Sequence, residues 1–142
     1  MAIPLGDLSD AVSMGVGAEG YGIFTIPPQM GILPGLGFWY LWGEKSYGWV
    51  ECNYSFMRIC PFGDFRVSFG AGPAIGFIQG GLGIYIDKMT ASVDGSSSSD
   101  SENRLGVRFG GGVKVTQAEF IGMVVITGDD TDMVTLRVSF VP

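Results

Sequence analysis

The feature that most constrains this chain is a two-residue repeat of apolar and polar side chains. It is clearest between residues 104 and 116, where Leu105, Val107 and Phe109 share one face. The opposite face carries cations, glycines and a threonine: Arg104, Gly106, Arg108, Gly110, Gly112, Lys114 and Thr116. Because successive side chains of a strand point to opposite faces, the pattern predicts a β-strand with one apolar face.

Similar alternation recurs along the chain and predicts about eight strands in an all-β fold. The segments lie near residues 13–19, 36–42, 50–56, 65–72, 82–90, 104–116, 119–127 and 134–140, of which 82–90 is the least regular. We predict tight or short connections at 79–81, 116–117 and 43–48. A long polar connection with a serine run is predicted at 91–103, an acidic one of medium length at 128–132, and a Pro/Gly-rich one near 27–35. Residues 1–142 are expected to form a single domain without a helix.

Composition narrows the class of protein. The 142 residues include only 15% charged side chains, and mean hydropathy is +0.34. Apolar stretches are broken by glycine before they reach the roughly 18 residues of a transmembrane helix. A net charge of −6 argues against nucleic acid as a partner. An apolar chain without a spanning helix fits either a large soluble core or a barrel that faces lipid.

Side-chain size decides which face we expect to point inward. The interior of an eight-stranded barrel is only just wide enough for side chains, so glycines and a few long charged residues fit there better than many rings. We therefore predict a closed antiparallel up-and-down barrel that spans a membrane, with its aromatic face toward lipid. The competing interpretation is a soluble barrel whose charged face meets water and which self-associates through its rings.

In the membrane interpretation, the inward charges must pair. They would form a network that seals the lumen: Glu19, Glu51, Arg66, Arg104, Arg108, Lys114, Glu119 and Arg137. Aromatic residues near strand ends would form an interfacial girdle. The main girdle candidates are Trp39, Tyr40, Trp42, Trp49 and Phe140, and further ones are Tyr21, Phe24, Tyr47 and Tyr85.

Catalytic and metal chemistry has little support in this sequence. The chain has no histidine, which removes Ser-His-Asp and Cys-His catalysis and the usual zinc sites. We expect no enzyme activity, no cofactor and no metal. Two acidic sets, Asp129/Asp130/Asp132 and Asp94/Asp100/Glu102, lack EF-hand spacing, so solvated loops are expected instead. Cys52 and Cys60 on one strand would be too far apart to bridge and are expected to be free.

Three stretches resemble the small bacterial outer-membrane β-barrel family with a porin-like or outer-membrane-protein-A-like barrel. They are residues 3–11 followed by Gly15-Val16-Gly17, the segment Ser68–Pro73, and the ending 128–140. Phe140 is similar to the terminal aromatic residue by which such barrels are recognised for assembly, although Val141 and Pro142 follow it here. The resemblance implies a location in the outer membrane and contact with its assembly machinery, but no catalytic residue.

These observations lead to one expected function and two alternatives. The first is a structural or surface-interaction barrel in the cell envelope, in contact with the lipid bilayer and with a possible protein partner at its loops. The second is a narrow channel or a small-ligand transport barrel, and the third is the soluble self-associating barrel. The start at Met1 lacks the basic and apolar regions of a signal peptide. An outer-membrane location therefore requires the sequence to be a mature form with an added Met.

Overall fold

A computed structural model describes residues 1–4, 14–26, 29–47, 50–93, 96–128 and 132–140 of this chain. Every regular element in these ranges is a strand, and the bounds follow chain order. They are β1 Ala2–Pro4, β2 Met14–Tyr21, β3 Phe24–Ile26, β4 Met30–Tyr47, β5 Val50–Phe69, β6 Ala74–Val93, β7 Ser96–Val115, β8 Ala118–Ile126 and β9 Met133–Phe140. The predicted all-β class is confirmed.

The strands form one antiparallel up-and-down sheet that returns on itself. From β3 to β9 each strand pairs with the next along the chain, and β1 pairs with both β9 and β2. Strands β2 and β3 run along the same edge of β4 and are separated only by Gly22 and Ile23. Counting these two as one interrupted strand gives the predicted ring of about eight, although it is not evenly barrel-shaped.

The register around the ring gives the stagger of the strands. Ala2 pairs directly with Gly15 of β2. The paired residues can also be followed the other way around the ring, from β1 through β9 and back along the chain to β3. They are Ala2, Thr135, Met123, Gly110, Gln79, Arg66, Gly31 and Thr25. One circuit therefore advances ten residues along the first strand, from Gly15 to Thr25. A stagger of this size requires the strands to tilt, by roughly 35–45° in barrels of this kind.

Several predicted connections are in fact strand. The segment 91–103 pairs almost throughout in the hairpin of β6 and β7, for example Ala91 with Ser98. Residues 79–81 lie within β6, and most of 27–35 and 43–48 belongs to β4. Serine- and glycine-rich strands carry no apolar alternation, so their backbone pairing leaves no two-residue signal in the sequence. The tight turn at Thr116 and Gln117 is confirmed.

The interior of the ring holds both charged and aromatic side chains. Trp39, Phe56, Phe62, Phe77 and Tyr85 are all buried. The expectation that large rings would not fit inside is therefore wrong. Inward-facing glycines provide the space, because a Cβ atom on Gly17 would lie 2.4 Å from the Trp39 ring. Large and small inward residues thus interlock across the narrow lumen.

The ring is uneven because its strands differ greatly in length. Strands β4 to β7 have 18 to 20 residues, whereas β8 and β9 have nine and eight. Strand β8 pairs with β7 only from Val107 onward, so the preceding part of β7 has its outer edge free of β8. We call the extension of β4 to β7 beyond β8 and β9 the projecting sheet. Its outer segment, 96–103, is exposed and polar, which protects a free edge from unwanted pairing.

Inner-wall glycines should tolerate a methyl group less well than outer-wall glycines. A Cβ on Gly110 would lie 2.1 Å from the Gly122 carbonyl oxygen, whereas a Cβ on Gly122 would meet only Leu136 at 3.7 Å. We expect Gly110→Ala to lower the free energy of unfolding by about 1–3 kcal/mol. Gly122→Ala, the matched control, should leave it nearly unchanged. Urea unfolding followed by circular dichroism tests this, and equal losses in both variants would contradict the crowding of the inner wall.

Candidate functional site in the lumen

Charged side chains from five strands and one glutamine from a sixth converge inside the ring. Alternation along each strand places them on the inner face together with buried neighbours such as Phe62 and Met123. We call this set the lumen network. It comprises Glu19 from β2, Asp64 and Arg66 from β5, Gln79 from β6, Arg108 from β7, Glu119 from β8 and Arg137 from β9.

Arg66 and Glu119 form the pair that crosses the lumen. Arg66 Nη1 donates to Glu119 Oε1 at 2.8 Å, and Nη2 donates to Oε2 at 3.2 Å. The other edge of the guanidinium donates to Gln79 Oε1, with Nη2 at 2.8 Å and Nε at 3.1 Å. Its face lies over the Phe77 ring at 4.0 Å. All three nitrogens of the planar Arg66 guanidinium therefore donate hydrogen bonds, a geometry that a lysine ammonium could not reproduce.

Arg108 joins two carboxylates. Its Nη2 donates to Glu19 Oε2 at 2.8 Å, and its Nε lies 3.1 Å from Asp64 Oδ2. The same Asp64 oxygen accepts a hydrogen bond from Gln79 Nε2 at 3.1 Å. Gln79 thus connects the Arg108 group to the Arg66 group, and the guanidinium of Arg108 stacks over Phe62 at 3.7 Å.

The third arginine connects β9 to β2, whose backbones are not paired with each other. Arg137 donates through Nη1 to Glu19 Oε2, the oxygen that also accepts from Arg108. Beside it, the Tyr21 hydroxyl lies 2.9 Å from Glu119 Oε2 and 3.3 Å from Ser139 Oγ. Side chains therefore bridge these two strands on the lumen side.

The lumen network is electrically balanced. Its three arginines face three carboxylates, and all six side chains are buried by at least nine-tenths. Buried charges are tolerated when each one is paired and hydrogen-bonded. The paired side chains reach across the lumen from one wall to another. This arrangement can hold the ring together from the inside.

A second buried ion pair lies nearer the projecting sheet and was missed by sequence reasoning. Arg58 donates through Nε and Nη2 to the two oxygens of Asp87, both at 2.7 Å. Its guanidinium lies 5.2 Å from the Phe56 ring and 4.8 Å from the Tyr85 ring. Extending the inward parity of Arg66 back along β5 would have found Arg58.

The structure describes the positions of two other predicted network residues, Arg104 and Lys114. Arg104 lies on the projecting sheet and donates to the exposed Glu102, a hydrogen bond that lowers the pKa of that carboxyl. The side chain of Arg104 is 17% exposed and lies on the same face of β7 as Arg108, beyond the part of β7 that pairs with β8. Lys114 lines a cleft of about 210 Å³ together with Arg66 and Glu119. The side chain of Glu51 lies outside the described part of the structure.

The predicted girdle is divided between the two faces. Tyr40, Trp42, Phe24 and Phe140 point outward, and the rings of Tyr40 and Trp42 stack at 6.2 Å. Trp39 was grouped with them but is 3% exposed, because odd positions of β4 face inward. Tyr21 and Tyr85 also point inward. Trp49 lies outside the described residues, and so does the side chain of Tyr47.

Within the described ranges, no group of three potential metal ligands comes together. Of the acidic sets, Asp94, Asp129 and Asp130 lie outside those ranges. Asp132 accepts a hydrogen bond from the Thr127 backbone N–H at 2.8 Å. Cys52 and Cys60 are both free. The described residues also contain no helix long and apolar enough to cross a membrane.

Comparison with known proteins assigns neither a family nor a function to this chain. No protein-family model matches this chain, and no curated protein or solved structure gives a match. The resemblance to small outer-membrane barrels therefore stays a prediction.

Removing one partner of the Arg58–Asp87 ion pair should lower the free energy of unfolding more than replacing both partners. Asp87→Leu leaves Arg58 buried without its carboxylate, and we expect it to lower the free energy of unfolding by about 3–5 kcal/mol. The double variant Arg58→Met/Asp87→Leu should recover at least half of that loss, because no unpaired charge remains. Denaturant unfolding of the two single variants and the double variant measures this. Additive losses would show that the two side chains do not act as a pair.

Proposed function

We propose that this chain is a small outer-membrane β-barrel with a sealed lumen that anchors the projecting sheet at the cell surface. The observation that carries the proposal is the distribution of side chains. Large apolar residues cover the outside of the ring, and paired charges lie inside it. A soluble barrel has the opposite arrangement, whereas an outer-membrane barrel has an apolar exterior and a polar interior.

The outward apolar surface extends around the ring. Exposed side chains of this kind occur on β2, β4, β5, β6, β7, β8 and β9, and Val138 reaches 59% exposure. They include Val16, Leu36, Phe38, Phe65, Ile78, Leu82, Val107, Phe109, Phe120, Leu136 and Val138. Soluble monomers rarely expose contiguous apolar patches above a few hundred Å². Hydrocarbon is the environment in which a continuous surface of this composition is stable.

Strand length agrees with such an environment. Strands β8 and β9 have nine and eight residues, close to the roughly 9–11 tilted residues that cross a bilayer. The extra length of β4 to β7 then lies outside the hydrocarbon. Its outer part, including Ser96–Ser101, is polar and exposed. This division supports a barrel that holds the polar outer segment of the projecting sheet away from the membrane for contact with a partner.

The sealed lumen supports a structural or interaction role over transport. An open channel needs a continuous water-filled path, whereas here the Arg66–Glu119 pair and the Arg108 group span the interior. A channel or small-ligand transporter and a soluble self-associating barrel remain the alternatives, and each predicts a different result in the experiments below.

A charge on the outer wall should distinguish a lipid-facing surface from a water-facing one. We expect Ile78→Arg to reduce the yield of folded protein in phospholipid vesicles, since Arg or Lys facing lipid at the bilayer midplane costs about 2–4 kcal/mol. Ser98→Arg, on the projecting sheet, is the matched control and should fold like the parent. Folding is measured by heat-modifiable gel migration and circular dichroism. If both variants fold equally well in vesicles, and the parent protein stays monomeric in buffer without detergent, the membrane proposal is wrong.

The sealed lumen has its own test. We expect the parent protein, once reconstituted in a planar bilayer, to pass no steady current, because paired side chains span the interior. Heat-modifiable migration of the same sample confirms that it is folded, and an open porin serves as the positive control for insertion. A reproducible unitary conductance that requires the folded protein would favour the channel alternative.

A further inference from the structure

The end of the ring opposite the projecting sheet contains a cleft of about 210 Å³. Its wall includes Lys114, which lies close to the tight turn at Thr116 and Gln117, and strands β3 to β8 all contribute to it. We call this space the end cleft. Its polar lining is Thr25, Gln29, Arg66, Ser68, Lys114 and Glu119, and its apolar lining includes Ile23, Met30, Ile75 and Phe77.

Lys114 lines the end cleft without a carboxylate of its own. Glu119 lies directly opposite it in the ladder between β7 and β8, where a cross-strand ion pair could form. The two oxygens of Glu119, however, accept hydrogen bonds from Arg66 at 2.8 and 3.2 Å, and Tyr21 donates to one of them. Lys114 takes part in none of the ion pairs between described residues. Its positive charge is therefore not neutralised within the described part of the chain.

The charges around the end cleft specify the charge of a ligand. Two cations, Arg66 and Lys114, and one carboxylate, Glu119, line it, which leaves one positive charge in excess. A monoanion matches that excess. A doubly charged anion would carry a further charge that no cation of the lining balances, and Glu119 would repel it. Hydroxyl and amide donors next to Lys114 are of the kind that bind carboxylate oxygens, and Thr25, Gln29 and Ser68 supply them.

The apolar lining specifies the rest of the ligand. Ile75 lies directly opposite Lys114 on β6, and Phe77 follows it on the same inner face. These side chains can cover a short hydrocarbon chain and remove it from water. The volume of the cleft corresponds to roughly seven water molecules at about 30 Å³ each, so a long acyl chain does not fit.

We propose that the end cleft binds a small aliphatic monocarboxylate, with the carboxylate at Lys114 and the chain against Ile75 and Phe77. The Arg66–Glu119 pair is buried and already hydrogen-bonded, so Lys114 is the cation that the ligand meets. The inference does not depend on the membrane proposal, because the residues that carry it face the interior of the ring.

A carboxylate satisfies the end cleft better than the other small occupants. Chloride would neutralise Lys114 but would leave Ile75 and Phe77 in contact with water. A neutral molecule of the same shape would cover these side chains but would leave the ammonium without an anion. Only a ligand with both parts uses both kinds of lining, and this difference gives the experiment its control ligands.

Binding is measured by saturation-transfer NMR with hexanoate as the probe and the folded protein in deuterated detergent. A sample of detergent alone corrects for partition of the ligand. We expect saturable binding of hexanoate. Hexanamide has the same chain without the charge and should bind about tenfold more weakly, because it loses a charged hydrogen bond. Ethanoate keeps the charge without the chain and should bind about fivefold more weakly, because it buries fewer methylene groups.

Variants of the lining provide the second arm. Lys114→Gln should weaken hexanoate binding about tenfold. The matched control is Lys88→Gln, which removes the same charge from an exposed lysine of β6 that does not line the cleft, and it should bind like the parent. Ile75→Ala should weaken the binding of hexanoate but not that of ethanoate. Should Lys114→Gln fail to fold, as judged by circular dichroism, the comparison of hexanoate with hexanamide still decides the question.

Four results would overturn the proposal. The first is the absence of saturable hexanoate binding, and the second is equal binding of hexanoate and hexanamide, which would show apolar partition only. The third is equal binding by Lys114→Gln and Lys88→Gln, which would place the ligand elsewhere. The fourth is displacement of hexanoate by an equal concentration of chloride, which would show a general anion site. Heat-modifiable migration is measured separately, so failure here leaves the membrane proposal standing.

Discussion

The structure depends on filling a narrow ring with side chains that interlock and balance in charge. Arg66, Arg108 and Arg137 are inside because they meet Glu119, Asp64 and Glu19 there. The inner glycines are equally necessary, since they admit Trp39 and the other buried rings. Without paired charges the interior would hold isolated ions at high cost, and without glycines the strands could not approach one another.

The ring is held in two ways around its circumference. Among the described residues, continuous backbone ladders join β3 through β9, and the short β1 joins β9 to β2. Arg137 with Glu19, and Tyr21 with Ser139, add side-chain contacts between β9 and β2 on the lumen side. The lumen network therefore holds together strands whose backbones are not paired with each other.

Sequence patterns predicted much of the candidate site because inward charges recur at alternate positions. Glu19, Arg66, Arg108, Glu119 and Arg137 are all found in the lumen network by that rule. The rule missed Asp64, Gln79 and the Arg58–Asp87 pair, since these lie among apolar or glycine neighbours that obscure the alternation. It did not show that Arg104 lies beyond the part of β7 that pairs with β8, because a local pattern does not tell how far a strand extends past its neighbours.

The two-residue repeat by itself determined the antiparallel all-β class and the approximate number of strands, because alternation is a local property of an extended backbone. Only the tertiary structure decided the register, the burial of Trp39 and the pairing partners of each arginine. These depend on contacts between residues distant in sequence, such as Tyr21 with Glu119. A local pattern specifies which face a side chain takes, whereas the closing of the ring specifies what that side chain meets.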